Sequence, residues 1–103
     1  MGYGGKISMS YALNRPIYAS GKAALTIDAG GSLNSVTVSL AGINKTTDIV
    51  VITLDYNGQT DVVIDGLPYI YAITDGANFG VGLGLSNTSA VEVTCFLNWV
   101  VVR

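Results

Sequence analysis

The stretch NFGVGLGLSNTSAVEVTCFLNWVVV, residues 78–102, contains two runs of alternating side chains joined by a polar turn. In the first run the apolar residues and the glycines strictly alternate: Phe79, Val81, Leu83 and Leu85 against Gly80, Gly82 and Gly84. Because side chains alternate between faces along a β-strand, this strand has one apolar face and one nearly bare face. A bare face needs a covering neighbour. We therefore expect the glycines to permit close contact with another sheet or subunit.

The second run, residues 91–102, alternates in the same way and places Cys95 and Trp99 on its apolar side. Towards its C-terminal end the opposite side also becomes apolar, through Phe96, Val100 and Val102. A strand that is apolar on both sides is typical of burial on both sides, so these three residues are predicted interface residues. Cys95 is the only cysteine, which excludes an internal disulfide and favours a buried thiol.

Further strand patterns occupy most of the remaining chain. Runs with alternating or β-branched residues lie at 7–13, 23–27, 36–40, 49–54, 60–64 and 69–74. The run at 49–54 is β-branched on both faces and predicts a central strand. No segment has a helical period. About eight short strands with turn residues between them predict an all-β, antiparallel β-sandwich or jelly-roll-like fold without helix. We divide it into an N-terminal arm with the first strand, residues 1–19, and a sandwich, residues 20–103.

The composition predicts assembly. The chain has 103 residues, of which half are hydrophobic and 12% are charged. A domain of this size buries only about two thirds of its surface, so part of the apolar surplus should lie at contacts with other chains. We expect a homo-oligomer, and we expect the arm residues Ile7, Met9 and Tyr11 to contact a neighbouring subunit.

Several classes of partner are excluded by charge and hydropathy. The formal net charge is −2, and the five basic residues are scattered along the chain. A nucleic-acid partner would require a basic patch. No apolar run approaches the roughly 18 residues of a membrane span, and the first residues lack the pattern of a secretory signal. We therefore expect synthesis in the cytoplasm and no membrane partner.

The residue inventory argues against catalysis. There is no histidine, which removes the commonest general base and metal ligand, so we predict no enzyme, no catalytic residue and no cofactor. Asp55, Asp61 and Asp65 flank one hairpin and would be the candidates for a calcium site. The bidentate glutamate that closes a calcium loop is missing, so we interpret the aspartates as turn formers and predict no metal.

Tyrosines offer a binding hypothesis. Tyr56, Tyr69 and Tyr71 could form an aromatic platform on which sugar rings stack. The alternative is that tyrosines at strand positions pack against their own sheet and anchor their hydroxyls at its rim.

Five segments also follow one another in a recognisable order: SGKAAL at 20–25, VTVSLAGI at 36–43, TTDIVVITL at 46–54, ANFGV at 77–81 and CFLNWVV at 95–101. This order resembles the small β-sandwich modules of tailed-phage virion proteins, which occur at tail-fibre tips and in head-decorating proteins. The resemblance covers residues 20–102.

The resemblance implies a non-enzymatic structural protein located in the virion. Our first hypothesis is a capsid-decorating, or cement, protein that binds the major capsid protein or another virion protein and forms a homotrimer. The first alternative is a glycan-binding receptor module of a tail fibre or tail tip. The second alternative is a carbohydrate-binding or adhesin-like β-sandwich outside any virus.

Overall fold

The computed structural model describes residues 15–103. All regular secondary structure in that range is β-strand, and the range contains no helix. The strands are β1 (Ile17–Ile27), β2 (Ser32–Ser39), β3 (Ile49–Asp55), β4 (Val62–Thr74), β5 (Asn78–Asn87) and β6 (Val93–Val102). The prediction of an all-β fold is confirmed for these residues.

The six strands form two antiparallel three-stranded sheets. The first sheet has the order β1-β6-β3, and the second has the order β2-β5-β4. The alternating runs within residues 78–102 therefore form the two middle strands, β5 and β6. Successive strands lie in different sheets at every connection except the tight turn between β4 and β5. This arrangement of two facing sheets is compatible with a β-sandwich.

The strand count differs from the predicted eight for two reasons. The predicted strand at residues 7–13 lies outside the described residues. The predicted strands at 60–64 and 69–74 form one continuous strand, β4, whose register shifts between Ile64 and Gly66 and again between Gly66 and Tyr69. In residues 15–103 β4 pairs only with β5, and an edge strand tolerates Pro68, which cannot donate a backbone hydrogen bond. In addition, β1 begins at Ile17 and so crosses the proposed boundary between residues 19 and 20.

The core lies between the two sheets and is built from the alternating positions. Both middle strands contribute buried residues: Phe79, Val81, Leu83, Leu85, Val93, Cys95, Leu97 and Val101. The inward position of Cys95 is thus confirmed. Trp99 of β6 meets Phe79 of β5 edge to face, with ring centroids 5.5 Å apart, which joins the two sheets. The indole also covers Gly21, where an added Cβ would lie 2.5 Å from Trp99 Cζ2.

Strand β3 occupies an unexpected position. Its sequence predicts a central strand, but within residues 15–103 it lies at the edge of the first sheet and pairs with β6 alone. Its side chains are half-buried on both faces, with Thr53 exposed and none fully buried. The pattern of a two-sided central strand is therefore found at an edge.

The buried side chain of Asn87, at the end of β5, connects two loops through hydrogen bonds. Its side-chain amide donates to the carbonyls of Ile27, Asp28 and Val91 at 3.1, 3.1 and 2.8 Å. Its Oδ1 accepts from the backbone and the hydroxyl of Ser89 at 2.9 and 2.8 Å. The residue is 2% exposed, so these bonds replace water entirely.

We predict that Asn87→Ala lowers the free energy of unfolding by about 2–4 kcal/mol, because several buried carbonyls lose their donor at once. The measurement is urea unfolding followed by tryptophan fluorescence. The matched control is Asn34→Ala at an exposed position of β2, which should change stability by less than about 0.5 kcal/mol. Equal effects of the two substitutions would contradict the role of Asn87.

An ion pair ties the end of β6 to the loop before β3. Arg103 Nε and Nη2 donate to the two carboxylate oxygens of Asp48, each at 2.8 Å, and Nη2 also donates to the Gly42 carbonyl. The guanidinium lies 3.6 Å from the centre of the Tyr18 ring, and the Tyr18 hydroxyl donates to the Ala41 carbonyl. The hydrogen bond from Arg103 lowers the pKa of Asp48 to about 2 from 3.8, against an opposing effect of burial.

The acid dependence of stability follows from this shift. Because the folded pKa of Asp48 lies below the unfolded value, its contribution is complete above pH 4 and is lost as the pH falls through about 2. Over that window we expect the wild type to lose about 2 kcal/mol more than Asp48→Asn. Urea unfolding at a series of pH values measures the difference, and parallel pH profiles of the two proteins would refute the assignment.

Candidate functional site

The outer face of the second sheet carries two tyrosine rings that rest on glycines. An added Cβ at Gly80 would lie 2.5 Å from Cζ of Tyr71, and one at Gly82 would lie 2.6 Å from Cζ of Tyr69. The rings of β4 thus occupy the space that side chains of β5 would fill, an arrangement that compensates for glycine in a sheet. We expected another sheet or subunit to cover the bare face. At Gly80 and Gly82 the neighbouring strand of the same chain covers it instead.

Gly84 has a different neighbour. An added Cβ there would lie 2.8 Å from the backbone nitrogen of Gly66 and 3.2 Å from Cβ of Asp65. Gly66 is the residue opposite Gly84 in the β4–β5 pairing, where the register of β4 shifts on both sides. The absence of a side chain at Gly84 therefore accommodates the bulged backbone of β4.

Strand β4 exposes four large apolar side chains, which we call the tyrosine face. Their exposed fractions are 48% for Val63, 75% for Leu67, 59% for Tyr69 and 54% for Tyr71. Exposed apolar side chains that are grouped on one element are typical of a contact surface, whereas single ones are ordinary. The two rings are supported by backbone beneath them, so they are held in place before any partner arrives.

Polar groups flank the tyrosine face on both sides. The Ser86 hydroxyl of β5 donates to the carboxylate of Asp65. On the far side, exposed Ser35 and Thr37 of β2 stand opposite Gly82 and Gly80, next to the rings. An aromatic surface beside a row of hydroxyls can contact apolar protein side chains, and it can also bind the apolar and hydroxyl faces of a sugar.

The structure brings together two of the three tyrosines of the glycan hypothesis. Tyr56 lies in the loop between β3 and β4, where its carbonyl accepts a hydrogen bond from the Cys95 thiol at 3.4 Å. The adjacent Asn57 donates to the Thr94 carbonyl. This loop therefore rests on β6 of the first sheet, whereas Tyr69 and Tyr71 lie on the outer face of the second sheet.

The other predicted interface residues are distributed over the molecule. Phe96 and Val100 are half-buried, and the Lys22 ammonium lies 4.7 Å from the centre of the Phe96 ring. Val102 is 1% exposed and lies between Ile17 and Ile49 in the first sheet, so its side chain belongs to the fold and is not accessible to a partner. Ile7, Met9 and Tyr11 lie outside the described residues.

Two candidate chemical groups of the described region, the carboxylate of Asp55 and the thiol of Cys95, have structural partners. Asp55 accepts from the backbone of Asn57, which adopts a left-handed conformation with φ of 56° in the turn. In residues 15–103 no group of three histidine, cysteine, aspartate or glutamate side chains is placed to hold a metal ion. Burial, and secondly the charge of Asp55, raise the pKa of the Cys95 thiol. A protonated, buried thiol is a poor nucleophile.

The pairing of the tyrosines with the glycines depends on a register shift. In the register of Thr74 with Asn78, a regular hairpin would set Tyr71 opposite Val81. A shift between Ile70 and Ala72 instead brings Tyr69 opposite Gly82 and lets the Tyr71 ring cover Gly80. The alternation of residues along the sequence does not reveal such a shift, so it could not predict this pairing.

Comparison with known proteins adds no relative. No protein-family model matches the chain, and neither the curated proteins nor the solved structures contain a match. Among residues 15–103 there is no helix with the length and hydropathy to cross a bilayer.

We predict that Gly80→Ala destabilises the protein by about 1–3 kcal/mol, because the new methyl group must displace the Tyr71 ring. In a Tyr71→Ala background the same substitution should be neutral or slightly stabilising. Urea unfolding of the four proteins forms a double-mutant cycle. The matched control combines Gly80→Ala with Tyr69→Ala. Because the Tyr69 ring covers Gly82 and not Gly80, the effects of these two substitutions on the free energy of unfolding should be additive. A cost of Gly80→Ala that is independent of Tyr71 would contradict the packing.

Proposed function

We propose that this chain is a non-enzymatic structural protein of a virus particle, a capsid-decorating protein that acts through protein–protein contacts. The single observation that carries the proposal is the tyrosine face. Val63, Leu67, Tyr69 and Tyr71 form an exposed apolar surface on β4, beside the outer face of β5, where Gly80, Gly82 and Gly84 have no side chains. The placement in a virion rests on the resemblance over residues 20–102.

A jelly-roll-like fold is part of this proposal. Supporting it, β1 pairs with β6 and β2 pairs with β5, so the two outer pairs are nested around β3 and β4. Each sheet then combines strands from both ends of the chain, as in a hairpin rolled into two layers. The proposed partners are the major capsid protein, or another virion protein, and further copies of the chain in a homotrimer.

The tyrosine face suits this role physically. Tyrosine contributes a large contact area with few rotatable bonds, and the rings of Tyr69 and Tyr71 are already packed on backbone. Binding therefore costs little side-chain entropy. Asp65 and the hydroxyls of Ser35 and Thr37 form the polar rim that surrounds the apolar centre of most interfaces.

The direct test measures binding of the purified protein to capsids that lack it. We expect the double variant Tyr69→Ala, Tyr71→Ala to bind about 30- to 700-fold more weakly than wild type, because each lost aromatic anchor removes on the order of 1–2 kcal/mol. Tyr56→Ala is the matched control, since Tyr56 lies on a different surface, and it should bind like wild type. Equal affinity of the double variant and wild type would remove the tyrosine face from the interface.

Glycan binding is the second candidate, favoured by the hydroxyl row of Ser35 and Thr37 beside the two rings. It corresponds either to a tail-fibre or tail-tip module or to a non-viral carbohydrate-binding or adhesin-like domain. Copy number per particle separates the candidates. A decorating protein is present in a fixed ratio to the shell protein, a tail-tip module in few copies, and a non-viral domain in none. A glycan-array signal that disappears in the double variant would favour the glycan candidates.

A further inference from the structure

The free edge of β3 resembles a strand edge that another strand normally covers. Within residues 15–103 β3 pairs only with β6, so its other edge presents unpaired backbone groups. Its seven residues, IVVITLD, include no proline or lysine that would protect an edge from pairing with another chain. A long apolar edge strand without such protection is a site for strand addition.

The seam between β3 and β4 is also incompletely closed. Six apolar side chains pack against the core there but remain only partly buried: Val50, Ile52, Leu54, Ile64, Ile70 and Ile73. The opposite flank combines buried residues of β1 and β2, such as Leu25 and Val38, with partly buried ones such as Leu33 and Val36. Strand β3 differs from β1 and β2 in that none of its side chains is fully buried within the described part of the chain.

We propose that residues 6–13 of a second copy of this chain add to the free edge of β3 as an antiparallel strand. The segment KISMSYAL has eight residues against the seven of β3. Its apolar residues Ile7, Met9, Tyr11 and Leu13 alternate with small or polar ones, as in a strand with one buried face.

The register follows from the two patterns. Ile52 and Leu54 stand opposite Trp99 and Leu97 and so belong to the inner face of the first sheet. Residues directly opposite each other share a face, so the odd residues of the segment must oppose the even residues of β3. Full-length pairing then sets Met9 opposite Ile52 and Ser8 opposite Thr53. The same register sets Lys6 opposite Asp55, a pairing of opposite charges.

Geometry indicates that the segment comes from a different copy. The Pro16 carbonyl accepts from the Arg103 backbone at 3.0 Å, and Arg15 donates to the Thr47 carbonyl at 3.0 Å, so the chain is fixed at the end of β6. A strand added to the free edge of β3 would lie three strand spacings, about 14 Å, from β1. Three residue steps, from Pro16 back to Leu13, span at most about 11 Å. A chain cannot place its own residue 13 in this register, whereas a neighbour can.

The inference goes beyond the proposed function, because it requires only a second copy and no virus particle. Reciprocal or cyclic exchange of the segments would bury the apolar seam of every subunit and leave the tyrosine faces exposed for another partner. The proposed pairing gives the predicted contact residues Ile7, Met9 and Tyr11 a defined binding surface, the edge of β3.

The test is a disulfide between Ser8→Cys and Thr53→Cys in the full-length chain, formed with oxidised glutathione. We expect covalent dimers or larger species on a non-reducing gel that revert on reduction. The matched control pairs Ser8→Cys with Ser35→Cys on β2 of the other sheet and should remain monomeric under denaturing conditions. A fast-migrating monomer with an internal disulfide, or no cross-link at all, would overturn the proposal.

A second pair of variants tests the apolar face without cysteines. Met9→Glu with Tyr11→Glu should raise the dissociation constant of the oligomer about 100-fold or more, because two side chains lose their burial. Ser8→Glu with Ser10→Glu places the same charges on the opposite face and should leave the oligomer intact. Sedimentation velocity measures assembly, and circular dichroism checks the fold. An unchanged oligomer in the first variant contradicts the proposal, while loss of capsid binding alone bears only on the tyrosine face.

Discussion

The packing of β5 on β6 is the interaction on which the structure depends. Each is the middle strand of its sheet, and their apolar faces meet in the interior, with Phe79 against Trp99 as the contact between aromatic rings. All four remaining strands are attached to one of these two and have no other sheet partner within residues 15–103. Because the side-chain period of a strand is two, the choice of inner face on β5 and β6 fixes which side of each sheet is buried.

This constraint also explains how far the sequence could lead. Strict alternation in β5 predicted the inner residues Phe79, Val81, Leu83 and Leu85, and alternation in β6 predicted the burial of Cys95. Continuity through Pro68 could not be predicted, since it depends on β4 lying at an edge, which is a property of the whole sheet. The edge position of β3 was missed for a related reason: a local pattern reports how apolar the two faces are, but it does not count neighbouring strands.

The candidate site was predicted in part. Tyrosines at residues 69 and 71 were singled out, but they were grouped with Tyr56, which the fold places against the other sheet. Glycines 80 and 82 were expected to admit a partner, and the rings of β4 occupy that space. Both differences between expectation and structure arise because cross-strand contacts join residues distant in sequence, and register shifts within β4 decide which of them meet. Polar side chains connect the strands at both ends of the two-sheet structure, through Asn87 at one end and through Asp48 with Arg103 at the other.

The pairing of β1 with β6 has a consequence for biosynthesis. Ile17 lies opposite Val102, so β1 has no strand to pair with until β6 has been synthesised. While the polypeptide leaves the ribosome, the β4–β5 hairpin is the one pairing of the described strands that nearby residues can complete. The first sheet forms only after translation has reached β6, and until then the apolar side chains of β1 and β3 are exposed to the cell. Cellular chaperones would encounter the nascent protein during that interval.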